Sequence, residues 1–357
     1  MNKLNFVVSW EKNKETAWSG TKYSIYKALS KYYVIYEHEL KHNNVILKIL
    51  KHLFFMSNSC YSSFLRKIDK IKYCKLHGNV FQFEEICGDT PERNTYIYID
   101  LNVSYIKYMR DNIPSVFQVS GFQNIRKSSI DKRCVEQDFY LNKCAGIFTM
   151  GHWLRDYLIS QGYNSEKVIH VGGGYNVNNN LYKPQIKTGT KILFVGKDFE
   201  RKGGRITYEA FTILKKRMSN IELYVSGPEQ DPIIDPIEGY HFEGQISFKE
   251  VAELYNKCDI FCMPSYFEAY GLVFIEALSF GLPCIGRNCY EMPYFIEDGK
   301  TGLLLKHDDS NELACLMERL LCDNTYKENV KSKREYYINE YSWDNVALRM
   351  KRLISGD

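Results

Sequence analysis

At 357 residues, 45% hydrophobic and 25% charged, the chain is too long for one ordinary core and suits two domains, with no room for a long disordered region. Its net charge of +4 hides an asymmetry: residues 1–183 hold 25 Lys and Arg against 16 Asp and Glu (+9), whereas residues 184–357 hold 22 against 27 (−5). No apolar run reaches the roughly 18 residues of a membrane span, no nucleic-acid-binding spacing occurs, and eleven cysteines without a signal-peptide pattern point to a reducing, cytoplasmic compartment.

In chain order, the first half alternates short β-branched and aromatic runs, expected as strands over 4–10, 33–38, 96–100, 115–120, 146–150 and 167–172, with helical periodicity over 20–30, 45–56, 103–111, 131–143 and 151–161. Such alternation implies a parallel sheet covered by helices. Residues 172–190, GGGYNVNNNLYKPQIKTGT, carry no apolar period and read as a linker. The pattern then restarts. Strands are expected over 191–196, 221–227, 240–244, 259–265 and 282–286, helices over 202–217, 247–257 and 272–280, and a final helix over 341–354 with Ser342 as N-cap. The domain boundaries expected are 1–178, 187–340 and a last helix over 341–357. Cys258 and Cys262 flank the apolar run DIF without a second pair at zinc spacing and read as small core residues.

Two motifs carry chemistry. The stronger is PSYFEAYGLVFIEALSFGLPCIG, residues 264–286, directly after a buried strand. A strand, a polar loop, a glycine and then a helix place a ligand at the carboxyl edge of a sheet. Gly271 permits a tight turn beside Tyr270, and the free N–H groups of Leu272 and Val273 open a helix whose dipole favours a phosphate. Glu268 lies before that turn, where it can accept hydrogen bonds from sugar hydroxyls; Glu276, one turn into the helix, can hold a ribose diol. The second motif is FVGKDFERKGG, residues 194–204, which brings Gly196, Lys197, Arg201 and Lys202 to the end of another strand. Cations there stabilise charge building on a diphosphate leaving group.

The run E-x7-E followed by A-L-S-x-G-x-P, the upstream G-K-x(4)-K-G and the downstream IEDGKTGLLLKHDD (296–309) together resemble family 4 of the retaining glycosyltransferases, over about residues 140–354. The segment WSGTKYSIYKALS (18–30) is similar to the N-terminal glycine loop and first helix of a bacterial branch of that family. The resemblance implies a GT-B fold, two Rossmann-like domains facing a central cleft, with the C-terminal helix crossing back to the N-terminal domain. It implies transfer of a sugar from a nucleotide-sugar donor to a glycan or lipid-linked acceptor with retention of configuration, without metal or other cofactor. Carried over by residue, Glu268 contacts the donor sugar, Glu276 the ribose, Lys197 and Lys202 the pyrophosphate, and Gly20 the phosphates from the other domain. Relatives commonly have Arg where this chain has Lys197, which keeps the charge and loses the bidentate fork. Many present a histidine near the acceptor, whereas SVFQVSGFQNI (115–125) has none; Gln118, Ser120 and Asp100 stand nearby without an assigned role, and His152 reads as a helix-flanking residue.

No Asp-x-Asp pair stands where a metal-dependent transferase needs one; Asp308 and Asp309 follow a strand and begin a helix. Rival readings are a catalytically silent partner subunit of the same fold, a nucleotide-sugar epimerase, which needs further acid–base residues, and a nicotinamide dehydrogenase, which the missing G-x-G-x-x-G disfavours. The basic stretches VILKILKHLFF (45–55) and LRKIDKIKYCK (65–75) suggest peripheral contact with an anionic membrane.

Overall fold

The computed structural model describes residues 2–10, 13–15, 17–41, 58–83, 85–184 and 189–355. They form two compact units, one of residues 1–112, 124–172 and 343–357, the other of 113–123 and 173–342. Each is a six-stranded parallel sheet flanked by helices.

The first unit contains β1 (Asn2–Val8), α1 (Thr21–Leu29), β2 (Tyr33–Glu39), α2 (Asn58–Tyr73), β3 (Gly78–Gln82), β4 (Arg93–Ile99) and α3 (Val103–Asn112). After α4 (Pro114–Val119), which is grouped with the other unit, follow α5 (Lys127–Asn142), β5 (Gly146–Thr149), α6 (His152–Ser160) and β6 (Val168–His170). The strand order is β2-β1-β3-β4-β5-β6, and its core is aromatic: Phe6 stacks on Phe81 at 5.3 Å between ring centroids, and Tyr96 on Phe148 at 5.7 Å.

Two expectations fail here. Residues 115–119 are not a strand but lie in α4, with Ser120 as its C-cap, because Pro114 sits in the first turn, where its fixed φ and missing N–H suit a helix whose buried residue is Phe117. Sequence reading also passed over β3, whose polar start, Gly78 and Asn79, conceals three buried residues between β1 and β4. The helix expected over 45–56 lies outside the described residues.

The second unit contains β7 (Lys191–Val195), α7 (Gly204–Lys215), β8 (Glu222–Ser226), β9 (Tyr240–Gly244), α8 (Phe248–Lys257), β10 (Ile260–Cys262), α9 (Leu272–Ser279), β11 (Cys284–Arg287), α10 (Met292–Phe295) and β12 (Gly302–Leu305), then α11 (Ser310–Cys322), α12 (Asn324–Ser332) and α13 (Arg334–Glu340). Ser247 and Glu250 form a reciprocal capping box that fixes the start of α8, and Asp309 caps α11 by accepting from the Asn311 N–H at 2.8 Å. The strand order β12-β11-β10-β7-β8-β9 is that of a dinucleotide-binding sheet, with its topological switch between β7 and β10. Cys258 and Cys262 are buried free thiols at the two ends of the run through β10.

The last helix, α14 (Trp343–Ser355), packs on α1 within the first unit. Val346, Ala347, Met350 and Ile354 are its buried stripe; Lys31 pairs with Asp344 at 2.6 Å, and Arg349 donates to the Val171 carbonyl at 2.7 Å. Gly146 on β5 admits the helix, since a Cβ there would lie 2.7 Å from Leu353. Just before this helix, the Ser342 hydroxyl donates to the Asn339 carbonyl at 2.9 Å.

A buried polar node ties the second sheet to its helices. Asp259 is 1% exposed and accepts from the Thr190 and Lys191 N–H groups at 2.9 Å, with the Lys327 ammonium 3.4 Å away. Burial alone would raise its pKa, but the backbone donors at 189–191 and Lys327 outweigh it and hold the carboxyl below its usual range. Its stabilising effect is therefore full above the ordinary Asp pKa and lost as the pH falls through the lowered value. Asp259→Ala is expected to cost about 3–5 kcal/mol in urea unfolding at pH 7. Lys327→Met should cost less, because it leaves Asp259 its backbone donors; equal losses would contradict this account.

Candidate active site

The two sequence motifs occupy the carboxyl ends of β7 and β10, which are paired neighbours through Ile260 and Ile192 and flank the switch point of the second sheet. Ligands of open α/β sheets bind at such a point, because loops from adjacent strands diverge there. Glycines let the two loops pack. Gly203, at φ 75°, approaches Pro264 so closely that a Cβ would meet the Pro264 carbonyl oxygen at 2.4 Å; one on Gly196 would meet the Lys202 side chain at 2.4 Å. Gly271, at φ 101°, makes the left-handed turn into α9.

Across this junction the Lys202 ammonium donates to the Glu268 carboxylate at 2.7 Å. Arg201 anchors the Glu268 loop by donating to the Phe267 carbonyl at 2.7 Å; its guanidinium lies 3.8 Å from Glu268 and also pairs with Asp198. Glu268 is 8% exposed. Burial pushes its carboxyl up, but Lys202, Arg201 and the Ser265 hydroxyl outweigh burial and hold it below the usual range. Lys197 is exposed and has no hydrogen-bond partner among the described residues. The Leu272 and Val273 N–H groups at the mouth of α9 likewise meet no acceptor among the described residues. The junction thus holds a buried carboxylate, two cations around it, a free lysine and an open helix N-terminus.

Glu276 stands apart from that pair. It is 4% exposed; one oxygen accepts from the Asn176 N–H at 3.0 Å and the other from the Tyr255 hydroxyl at 3.3 Å. Burial dominates over these bonds and raises its pKa to about 7. Tyr270, expected among the donor contacts, exchanges hydrogen bonds with Gly173: its hydroxyl accepts from the N–H at 2.9 Å and donates to the carbonyl at 3.2 Å. Gly20 belongs to the first unit, where it caps α1 at φ 87° after two more left-handed residues, Trp18 and Ser19.

Sequence reading missed Arg287 at the end of β11. Its guanidinium stacks 4.2 Å over Tyr266, donates to the Pro264 carbonyl at 3.3 Å and pairs with Asp308 at 3.0 Å, bracing the loop that carries Glu268. Its place directly after the buried run LPCIG was the available signal. Phe122, from the segment grouped with this unit, packs at 6.1 Å on Phe267, next to Glu268. His152 starts α6 and stacks on His170 at 3.5 Å, inside the first unit.

Residues 179–341 match the family model "Glycosyl transferases group 1". A phosphatidyl-myo-inositol mannosyltransferase of Mycobacterium leprae is 24% identical over 196 residues, covering 52% of each chain. The chain spans about half the length of the curated relatives it matches. A sucrose-phosphate synthase structure from Thermosynechococcus elongatus shares 16% identity with a TM-score of 0.68 over 100% of this chain and 99% of that one. A mutant of S. aureus TarM in complex with fondaparinux, alpha-GlcNAc-glycerol and UDP shares 17% identity with a TM-score of 0.60 over 81% of this chain and 59% of that one. The chain shares the two-Rossmann GT-B fold with these structures, and its residues 179–341 are similar to the glycosyl transferases group 1 family.

Proposed function

We propose that the chain is a metal-independent glycosyltransferase that moves a sugar from a nucleotide-sugar donor to a glycan or lipid-linked acceptor with retention of configuration. The observation that carries this reading is the Lys202–Glu268 contact at the switch point of a dinucleotide-type sheet, beside the unpaired N–H groups of α9. Paired as they are, the two charges satisfy each other. When donor binds, Lys202 turns to the diphosphate together with Lys197, and Glu268 is released to accept from sugar hydroxyls, so that each charge exchanges one partner for another. The acceptor oxygen bonds to the anomeric carbon on the face the diphosphate leaves, the bond from that carbon to the diphosphate breaks, and the acceptor proton passes to a diphosphate oxygen. No protein base is required. The cations and the helix N-terminus supply the stabilising charge. The UDP bound to the TarM mutant and the lipid in the name of the mycobacterial relative motivate the choice of probes.

A thermal-shift panel of UDP-, GDP-, ADP- and TDP-sugars should identify the donor by mass action. With that donor and excess EDTA, Glu268→Gln and Lys202→Ala are each expected to lower turnover by about 100-fold or more without loss of the folded state. Turnover within a few-fold of the parent in both would overturn the site, and loss of the parent's turnover in EDTA would overturn metal independence.

Glu276 adds a pH signature. With its pKa raised to about 7, the carboxyl is mostly protonated at pH 6 and ionised at pH 8, and only the ionised form accepts from both ribose hydroxyls. Donor affinity should therefore rise by up to about tenfold from pH 6 to pH 8, measured calorimetrically, and Glu276→Gln should flatten that rise. A parent profile without the rise would argue against ribose contact.

The first unit presents a basic face suited to anionic lipid. On α2, Lys67, Lys70 and Lys72 are exposed, and Ile71 among them is 73% exposed. Each cation near such a surface contributes about 1 kcal/mol. The other basic stretch, 45–55, lies outside the described residues. Flotation should show salt-sensitive binding to vesicles containing phosphatidylserine and little to phosphatidylcholine alone, reduced in a triple charge reversal at Lys67, Lys70 and Lys72. Equal recovery on both lipids, or none on either, would remove the membrane contact.

A further inference from the structure

Away from the β7–β10 junction, the second unit carries a pocket of about 550 Å³ between the turn at 175–182 and α13, with Tyr175, Tyr182, Asn179 and Ile338 in its walls. Its volume falls in the range of about 300–1,000 Å³ usual for small-molecule sites. The walls are fixed in place. Asn256 accepts from the Lys183 N–H and donates to the Leu181 carbonyl, both at 2.8 Å, which holds the turn against α8; Tyr175 N–H donates to the Tyr341 carbonyl at 3.1 Å.

The polar groups left over define the ligand. Arg334, which also lines the pocket, is already engaged: it stacks 3.8 Å over Tyr182, donates to the Ser279 carbonyl at 2.7 Å and lies 3.6 Å from Glu335. An anion would therefore find its cation committed. The Asn179 side chain accepts from the Ser279 hydroxyl at 2.8 Å, which pins the turn to α9, while its amide nitrogen is buried without a partner among the described residues. The amide nitrogens of Asn178 and Asn180 likewise donate to none of the described residues. Neutral amides in a row, which offer donors and acceptors to adjacent hydroxyls, beside the rings of Tyr175 and Tyr182 and the apolar Ile338, match a molecule with a hydroxylated edge and a C–H face.

We propose that this pocket is a second, non-catalytic binding site for a neutral oligosaccharide, recognised by the exposed amides of Asn178 and Asn180 against Tyr175 and Tyr182. The proposal rests on the pocket alone and stands or falls separately from the transferase reading. Saturation-transfer NMR on the full chain with maltotriose, mannotriose and N,N′-diacetylchitobiose tests it. At least one probe should bind with a Kd of about 1 mM or tighter. Tyr175→Ala and the pocket-filling Ile338→Trp should each weaken that probe by about tenfold or more, with Asn180→Ala as an exposed variant that leaves the fold alone and still loses affinity. Lys202→Ala should leave the Kd within about twofold. Absence of binding for all three probes overturns the proposal, as does parent-like affinity in every pocket variant that keeps the parent's melting temperature. Loss of binding in Lys202→Ala would place the saccharide at the β7–β10 junction instead and would equally overturn it.

Discussion

Pairing of β7 with β10 across the switch point is the constraint on which the chemistry of the second unit depends. Because the chain places three strands on one side of that line and three on the other, the loops after β7 and β10 emerge side by side and diverge. Lys202 and Glu268 are 66 residues apart, and only this pairing brings them to 2.7 Å. The close approaches of Gly196 and Gly203, and the brace from Arg201 to the Phe267 carbonyl, then fix the loops on a scale finer than the sheet can. Loops held in this way keep Lys202 and Arg201 beside the Glu268 carboxylate.

The two carboxylates of the E-x7-E run illustrate how environment separates like groups. Glu268 is buried beside two cations and stays below the usual carboxylate range; Glu276 is buried beside a phenol and one amide and rises to about 7. Desolvation acts on both in the same direction, and only the neighbours differ. Two carboxyls eight positions apart in the chain are thus shifted in opposite directions by their neighbours.

Much of the second unit was legible in the sequence, because its central strands are buried on both faces and read as continuous apolar runs, as in KILFV and DIFCM. The loops that follow such runs could be located with them, which is why Lys202, Glu268 and Gly271 were found. The first unit was harder. β3 hides behind a Gly-Asn start, and the alternation in SVFQVS imitates a strand although Pro114 makes it a helix. Arg287, Tyr255 and Asn176 escaped notice for another reason: what they do is set by contacts with Pro264 and Glu276 that no local pattern records. Periodicity reports which face is buried, and it is silent about which distant backbone atom a side chain meets.

The position of α14 bears on the order in which the protein is made. Residues 343–357 belong by their contacts to the same unit as residues 1–112, although the whole of the other unit lies between them in sequence. During vectorial synthesis, the surface of α1 and the start of β5 at Gly146 stay uncovered until α14 follows the second unit out of the ribosome. The second unit is complete in sequence by residue 342, so it is positioned to finish folding while the first unit still lacks α14. Nascent chains stalled before residue 343 would expose apolar surface on the first unit, which makes that unit, and not the one translated after it, the natural target for a chaperone.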